Sequence, residues 1–432
     1  MISVKEFYQE YFTPGSACID SRSIKKDDIF FAIKGERFNG NEFAADALIA
    51  GAKLAVIDDE NFAGDSSIIL IDNCLRFLQN LALHHKKSLQ FKVIGLTGSN
   101  GKTTTRELIK AILDSQYKCD ATKGNLNNHI GVPLTLLNVP LNTEIAIIEM
   151  GANHLGEIDN LCKISDPDIG LITNIGKAHL EGFGNFENVI KAKSELYEYL
   201  KKKKGKIIYN GDDKILKDLI FGYKNLVAYN IPDGLCQGKI LNDTEELSVE
   251  IKDFYQNRIQ VKTNLFGNYN LDNILAASCI GIDLGISLSN IKKGIENYNP
   301  SNQRSQIVRI GTNTIILDCY NANPTSMKVA IENFSSIPGK NKILILGSMK
   351  ELGPYSHNEH LAIGEIARKS NATQTFLVGD EFKSVNIANS INMEDTESLI
   401  RQLKELDIKD SLILIKGSRA NRLEEVINIF RN

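Results

Sequence analysis

No stretch of this sequence stays apolar for the roughly eighteen residues that a membrane span needs, so no spanning helix is expected. The first residues, MISVKEFYQEYF, lack the apolar core of a secretion signal, which points to the cytoplasm. An excess of one charge is missing too. Fifty Lys and Arg stand against 53 Asp and Glu, a net charge of -3, so no global attraction to nucleic acid or anionic membrane arises. A local basic pocket stays open. The seven cysteines (Cys18, Cys74, Cys119, Cys162, Cys236, Cys279 and Cys319) are odd in number and show no C-x-x-C spacing. That excludes a disulfide framework or a zinc site as the organising element and favours free thiols in a reducing compartment. No internal repeat is present. The one low-complexity run, Lys201 to Lys204, reads as a solvated helix end whose cations suit the helix dipole.

What is present is a globular composition, 42% hydrophobic and 24% charged over 432 residues. At about 150 residues per domain this length predicts about three domains. Short β-branched runs recur with amphipathic segments between them: SIILI, KVIGLT, EIAIIEM, DIGLITN, KIIYN, TIILD, KILILG and LILIKG. Continuous apolar strands separated by helices predict an α/β architecture, with parallel sheets covered by helices on both faces. Two polar stretches, HHKKSLQ (84–90) and NYNPSNQRSQ (297–306), suggest boundaries and divide the chain into 1–85, 86–298 and 299–432.

The strongest signal is the run Val93-Ile94-Gly95-Leu96-Thr97-Gly98-Ser99-Asn100-Gly101-Lys102-Thr103-Thr104-Thr105. A buried strand leads into glycines, and a Lys-Thr pair opens a helix carrying Leu108, Ile109, Ile112 and Leu113 on one face. Glycines let backbone N–H groups wrap a phosphate, Lys102 reaches the β/γ-phosphates, and Thr103 offers a hydroxyl to Mg²⁺. The glycine that strict Walker spacing puts at position 96 stands at 95, so this is a variant phosphate loop.

Glu149 closes the strand EIAIIEM, and His179 follows another strand in NIGKAHLEGFG. Delivered beside a phosphate loop, the two suit a divalent ion, although Mg²⁺ prefers oxygen; a loop histidine with a structural hydrogen bond is the other reading of His179. In GNFENVIKAKSELYEYLKKKK, Val189, Leu196 and Leu200 define an apolar stripe. Helical geometry puts Lys193 on it and Lys191 on the polar face. A lysine there is paired, neutralised, chemically modified or snorkelled along the stripe.

Together these residues resemble the ATP-dependent Mur ligases, which form peptide bonds in peptidoglycan precursor synthesis. The family loop T-G-[TS]-N-G-K-[TS] stands as Thr97 to Thr103, the strand-end acid and imidazole as Glu149 and His179, and the adenine-side G-x-x-N-x-x-N as Gly267, Asn270 and Asn273. Ala192-Lys193-Ser194-Glu195-Leu196-Tyr197 matches the context of the family's carbamylated lysine. Further matches are EMGAN (149–153), GNLNN (124–128), GVP (131–133), DCYNANPTSM (318–327), LGSMKELG (346–353), KGSR (416–419), DSR (20–22) and IKGER (33–37). They span the chain in order and look like the branch that adds D-alanyl-D-alanine to UDP-N-acetylmuramoyl-tripeptide. Ser348 stands where that branch has Asp, and the D-N-P-R signature of the diaminopimelate-adding branch is not found.

The resemblance implies a small N-terminal α/β domain holding the UDP end, a central P-loop domain binding ATP, and a C-terminal Rossmann-like domain that closes over the nucleotide and binds the amine. It implies MgATP with two Mg²⁺ ions, an acyl-phosphate intermediate and a monomer. Gly98, Ser99, Asn100, Gly101, Lys102, Thr103 and Thr104 would bind the phosphates, Asn270 and Asn273 the adenine side, and Arg304 and Asp318 the nucleotide from beyond the second boundary. Lys102, Glu149, His179 and carbamylated Lys193 would be catalytic, with Thr103, Glu149, His179 and Lys193 as metal ligands. Asp20, Ser21, Arg22, Lys34, Gly35 and Arg37 would hold the UDP end; for Asp20 and Arg22 a turn-stabilising ion pair is the other reading. Asn127, Asn128, Asn321, Asn323, Ser418 and Arg419 would contact the remaining substrate. Rival readings are another amino-acid-adding ligase of the family, a folylpolyglutamate-synthase-like ligase, and a P-loop switch without ligation.

Overall fold

The computed structural model describes residues 2–36, 38–243, 246–301, 303–339 and 341–431. Arg37, expected at the UDP end, lies outside the described residues. Among these residues no helix is long and apolar enough to cross a membrane, and all seven cysteines are free.

Three sheets carry the chain. The first is β1 (Ala17–Cys18), β2 (Ile29–Phe31), β3 (Leu54–Ile57) and β4 (Ile68–Leu70), parallel throughout and in chain order. Strand alternation splits its apolar side chains between two cores. Ile29, Phe31 and Val56 pack with Phe7 and Leu78, while Phe30, Ala32 and Ala55 pack with Ala44 and Ala47.

The central sheet comprises β5 (Lys92–Thr97), β6 (Cys119–Ala121), β7 (Ile145–Glu149), β8 (Ile169–Ile172), β9 (Lys206–Asn210), β10 (Leu226–Tyr229), β11 (Cys236–Asp243), β12 (Leu247–Asp253) and β13 (Arg258–Lys262). Its order is β13-β12-β11-β10-β9-β8-β5-β7-β6, parallel except where β12 and β13 run antiparallel at one edge. Helices Lys102–Leu113 and Asn270–Asp283 share a core with Ile94 and Leu96, and helices Glu157–Ser165 and Phe186–Lys203 share the opposite one with Val93 and Ile148. The chain leaves β5 toward the β6 edge and leaves the adjacent β8 toward the β13 edge, so the carboxyl ends of these two strands form the switch point where a ligand crevice opens.

The third sheet, β14 (Gln306–Ile310), β15 (Asn313–Asp318), β16 (Asn341–Gly347), β17 (Gln374–Val378), β18 (Ser390–Met393) and β19 (Ser411–Lys416), has the order β14-β15-β19-β16-β17-β18 and only β14 antiparallel. The parallel sheets and their helical layers give the α/β class expected from the apolar runs.

The polar stretch HHKKSLQ is mostly helix: its first six residues close the helix Cys74–Leu89. Its polar groups turn inward because partners await them. Tyr8 Oη lies 3.0 Å from His85 Nδ1, and Lys86 pairs with Asp166 at 3.1 Å. Burial pulls the His85 pKa down to about 4. This helix packs on Gly131–Leu137 and Glu157–Ser165, tying the first sheet to the central one.

Candidate active site

β5 passes through Gly98-Ser99-Asn100-Gly101 into the helix Lys102–Leu113. Gly98 and Gly101 have φ of 146° and 77°. A Cβ on Gly98 would collide with Thr173 Oγ1, and one on Gly101 with Asn273 Oδ1, so the loop closes this tightly only with glycine. The neighbouring β8 exit pins the loop from below: Ser99 Oγ donates to Gly176 O at 2.9 Å and Asn100 N to Asn174 Oδ1 at 3.0 Å. The helix has no side-chain cap, which leaves its first N–H groups and its positive dipole end to an anion. Lys102 Nζ donates to Gly98 O at 2.7 Å, and burial pulls its pKa down.

Glu149 ends β7 opposite Leu96 of β5, so the sheet register delivers its carboxylate beside this loop. It accepts from Thr103 Oγ1 at 3.1 Å, Arg106 Nη1 at 3.0 Å and Asn127 Nδ2 at 2.9 Å. Thr103 and Arg106, three apart, share a helix face. The Arg106–Glu149 pair is almost wholly buried, at 4% and 2% exposure. Arg106→Met should therefore cost about 3 kcal/mol in a urea or thermal melt, because it strands a buried carboxylate. A loss below about 1 kcal/mol would mean that Thr103 and Asn127 alone hold that charge.

Lys193 is 1% exposed while Lys191 is exposed, as the stripe predicts. Its Nζ lies 5.7 Å from the Phe183 ring centroid, and no hydrogen bond or salt bridge reaches it among the described residues. Burial first, then the like charge of Lys102, brings its pKa down to about 7 against the opposing pull of Glu157 and Glu195. His179, with φ of 52°, precedes the short helix Leu180–Phe183, and its Nδ1 bonds to Glu351 Oε2 of the third sheet's domain.

That domain meets the phosphate loop directly. Asn323 caps the helix Pro324–Ser336 and donates to Asn100 Oδ1 at 2.8 Å. Asp318, at the end of β15, accepts from buried Lys416 Nζ at 2.6 Å and from Ser305 N at 3.2 Å. The Arg304 guanidinium lies over the Tyr320 ring at 4.0 Å with its buried Nε unpaired, and Arg419 approaches the same ring at 5.4 Å. Asn273 donates to Asn270 Oδ1 at 2.8 Å and accepts from Thr105 at 3.0 Å, locking the helix Asn270–Asp283 to the phosphate-loop helix.

One cavity of about 830 Å³ unites these groups. From the central domain it takes Ser99, Asn100, Gly101, Lys102 and Thr104, then Asn127, Asn128, Glu149, His179, Asn270 and Asn273. Arg304, Asp318, Asn321 and Asn323 close it from the other side. Gly98, Thr103 and Lys193 stand behind this wall. Ser418 bonds to Asn421 at 3.0 Å, away from the wall like Arg419. Asp20, Ser21, Arg22, Lys34 and Gly35 of the first domain do not line it either. Asp20 and Arg22 form a bidentate pair at 2.8 Å that holds the Asp20 carboxyl down at about 2, and Lys34 pairs with Asp58 at 3.1 Å.

Family profiles match nearly the whole chain in the order of its sheets: "Mur ligase family, catalytic domain" at 16–86, "Mur ligase middle domain" at 96–281 and "Mur ligase, glutamate ligase domain" at 303–419. The chain belongs to the Mur ligase family. It is 35% identical over 434 residues to the UDP-N-acetylmuramoyl-tripeptide--D-alanyl-D-alanine ligase of Bacillus subtilis, covering 94% of this chain and 91% of that one. Among solved structures, MurF from Acinetobacter baumannii superposes with a TM-score of 0.87 at 29% identity, covering 96% and 93%. MurF from Thermotoga maritima in complex with ADP gives 0.86 at 28% identity, covering 96% of each chain.

Several groups in this Mur ligase escape a reading of the sequence. Arg106 is visible only as a charged residue on a helix, yet its place three residues after Thr103, on the face turned to the sheet, asks for a carboxylate partner. Tyr320 and Lys416 fall within the DCYNANPTSM and KGSR matches, but no local pattern announces their stacking and pairing. Ser348 is fully buried, and its Oγ donates to Asn421 Oδ1 at 3.0 Å, so it fastens β16 to the turn after β19.

Proposed function

We propose that this chain is the ATP-dependent ligase that joins D-alanyl-D-alanine to the C-terminal carboxylate of UDP-N-acetylmuramoyl-tripeptide, giving the pentapeptide, ADP and phosphate. The observation that carries this reading is the near-full-length identity to a ligase of that name, and the geometry supports it with a cavity where phosphate loop and third domain meet.

A carboxylate does not condense with an amine unaided, since oxide is a poor leaving group. The tripeptide carboxylate attacks the γ-phosphorus of ATP; the acyl phosphate formed is attacked by the dipeptide amine, and phosphate departs from the tetrahedral intermediate. Positioning and charge neutralisation dominate phosphoryl transfer. Lys102 and the uncapped N–H groups of its helix hold the β/γ-phosphates. Arg304, its Nε unpaired, supplies a further cation from the opposite wall. Asn270 and Asn273 border the adenine side, and Asp318, held by Lys416, faces the nucleotide. Asn321 and Asn323 orient the dipeptide, with Ser418 and Arg419 behind them. Water is kept from the acyl phosphate by the third domain seated on the first wall.

The donor set fits Mg²⁺ in part. Among the described residues no cluster of three acidic, His or Cys side chains stands ready for an ion, but Mg²⁺ usually takes one or two carboxylates and completes its shell with water and substrate phosphate. Among the described residues Glu149 Oε1 accepts from Asn127 alone, and Thr103 Oγ1 lies against the same carboxylate. Thr103 and Glu149 would hold one ion; His179 and carbamylated Lys193 would hold a second. Bound there, Mg²⁺ would offset the charge of the phosphates. Asp20, Ser21, Arg22, Lys34 and Gly35, with Arg37, would hold the UDP end; the Asp20 pair leaves Arg22 Nη1 unused and the guanidinium exposed.

Purified protein should release ADP and phosphate only when UDP-N-acetylmuramoyl-tripeptide and D-alanyl-D-alanine are both present. Release with nucleotide alone would favour a switch. Turnover with a single amino acid in place of the dipeptide would favour another amino-acid-adding ligase.

A further inference from the structure

Glu351 is a half-exposed acid on the loop after β16, in a different domain from the phosphate loop. Its Oε2 bonds to Nδ1 of His179, which lines the cavity. We propose that Glu351 is a positioning residue that holds His179 in the Nδ1–H tautomer, so that the Nε2 lone pair faces the cavity only when the third domain is seated. This deepens the ligase reading of the site and rests on it.

Backbone geometry supports the assignment. His179 and Glu351 both occupy the left-handed region, with φ of 52° and 61°. For non-glycine residues this costs about 1–2 kcal/mol each, and such strain persists where surrounding structure enforces it. Here the two strained residues meet each other. Glu181 N donates to Glu351 O at 3.1 Å, adding a main-chain bond to the side-chain contact.

The loop that carries Glu351 is rigid on its own side. Met349 N donates to His360 Nε2 at 3.0 Å, and the buried His360 ring in turn bonds Ser356 O through Nδ1 at 2.7 Å. Lys350 pairs with Glu381. Glu351 therefore arrives in one orientation as its domain docks. A plain tether between the domains would not require it, because Lys177 pairs with Glu359 at 2.7 Å and Tyr355 Oη donates to Gly184 O at 3.1 Å in the same seam. What Glu351 adds is a carboxylate on a seam histidine that lines the cavity. A carboxylate behind an imidazole fixes which nitrogen carries the proton, and where the imidazole is a metal ligand, removing such a partner typically costs about 10–100-fold in metal affinity or activity.

The test uses full-length protein labelled with ¹⁵N-histidine, with the His179 signals identified by their loss in His179→Gln. Wild type should show His179 with a protonated Nδ1 and a bare Nε2. Glu351→Gln keeps an acceptor oxygen but adds an amide donor that suits the other tautomer, so its share of the Nδ1–H form and its kcat should fall between those of wild type and Glu351→Gly. Glu351→Gly removes the acceptor while suiting the left-handed backbone, so it should fold; it should show mixed tautomers and a kcat reduced at least about tenfold, with KM for ATP far less changed. Lys177→Ala, which cuts only the tether, should leave the tautomer as in wild type. An unchanged tautomer in Glu351→Gly overturns the proposal, whether or not activity falls, and so does an unchanged kcat. If wild type ligates nothing, the ligase reading fails, and the nitrogen shifts still decide whether Glu351 sets the tautomer.

Discussion

Lys102→Ala is expected to lower ligation by about 10³-fold or more while leaving the protein folded. The side chain sits at the first position of the phosphate-loop helix, inside the cavity, and its ammonium rests on Gly98 O and Ser99 O at 2.7 and 3.3 Å. Lys102 and Ser99 line the cavity, so water that enters it can replace the lost donor and the fold loses little. The phosphates have no such substitute. Without Lys102 the developing negative charge on the transferring group meets backbone N–H groups and Arg304 alone, in a site where a fixed cation is worth far more than in water. ADP release under saturating substrates checks the rate, a nucleotide titration checks binding, and a thermal melt checks the fold. Activity above about a tenth of wild type would mean that charge neutralisation lies elsewhere in the cavity.

The phosphate loop was legible in the sequence because its requirements are local: buried strand, permissive glycines, Lys-Thr and an amphipathic helix fall within one short run. Glu149 and the burial of Lys193 were legible for a related reason, as each follows from a strand end or a helical period. Partnerships between distant segments were not. Arg106 finds Glu149 forty-three residues on, Lys416 finds Asp318 across ninety-eight, and Glu351 reaches His179 across one hundred and seventy-two. Each needs the sheet order before the two can be seen to touch. The same limit explains HHKKSLQ, whose polarity suggests a boundary: His85 and Lys86 are helical and buried because Tyr8 and Asp166 receive them.

Lys193→Ala should cost nearly as much activity as the loss of Lys102, and a short carboxylic acid such as acetate should restore a large part of it. The reason begins with burial. A buried ammonium with no hydrogen-bond partner among the described residues, its pKa drawn down to about 7, is largely neutral at physiological pH, and a neutral amine adds CO₂ to give a carbamate and release a proton. The product is an anionic oxygen donor where a cation was poorly tolerated. ¹³C-labelled bicarbonate should therefore give a carbamate resonance that Lys193→Ala lacks; no resonance and no rescue together would refute the carbamate. A second consequence needs no CO₂. Because the folded pKa lies below the unfolded value of 10.5, the burial penalty is complete below pH 7 and fades as pH rises toward 10.5, where the unfolded chain also loses its proton. In CO₂-free buffer, stability relative to Lys193→Met should climb across that window by up to about 1.4 kcal/mol per pH unit. Bicarbonate should raise the stability of wild type over that of Lys193→Met, since the carbamate forms on the folded chain and is lost, with uptake of a proton, on unfolding. A stability that ignores bicarbonate would leave Lys193 a buried neutral amine, and the second metal ion would lose its proposed anionic ligand.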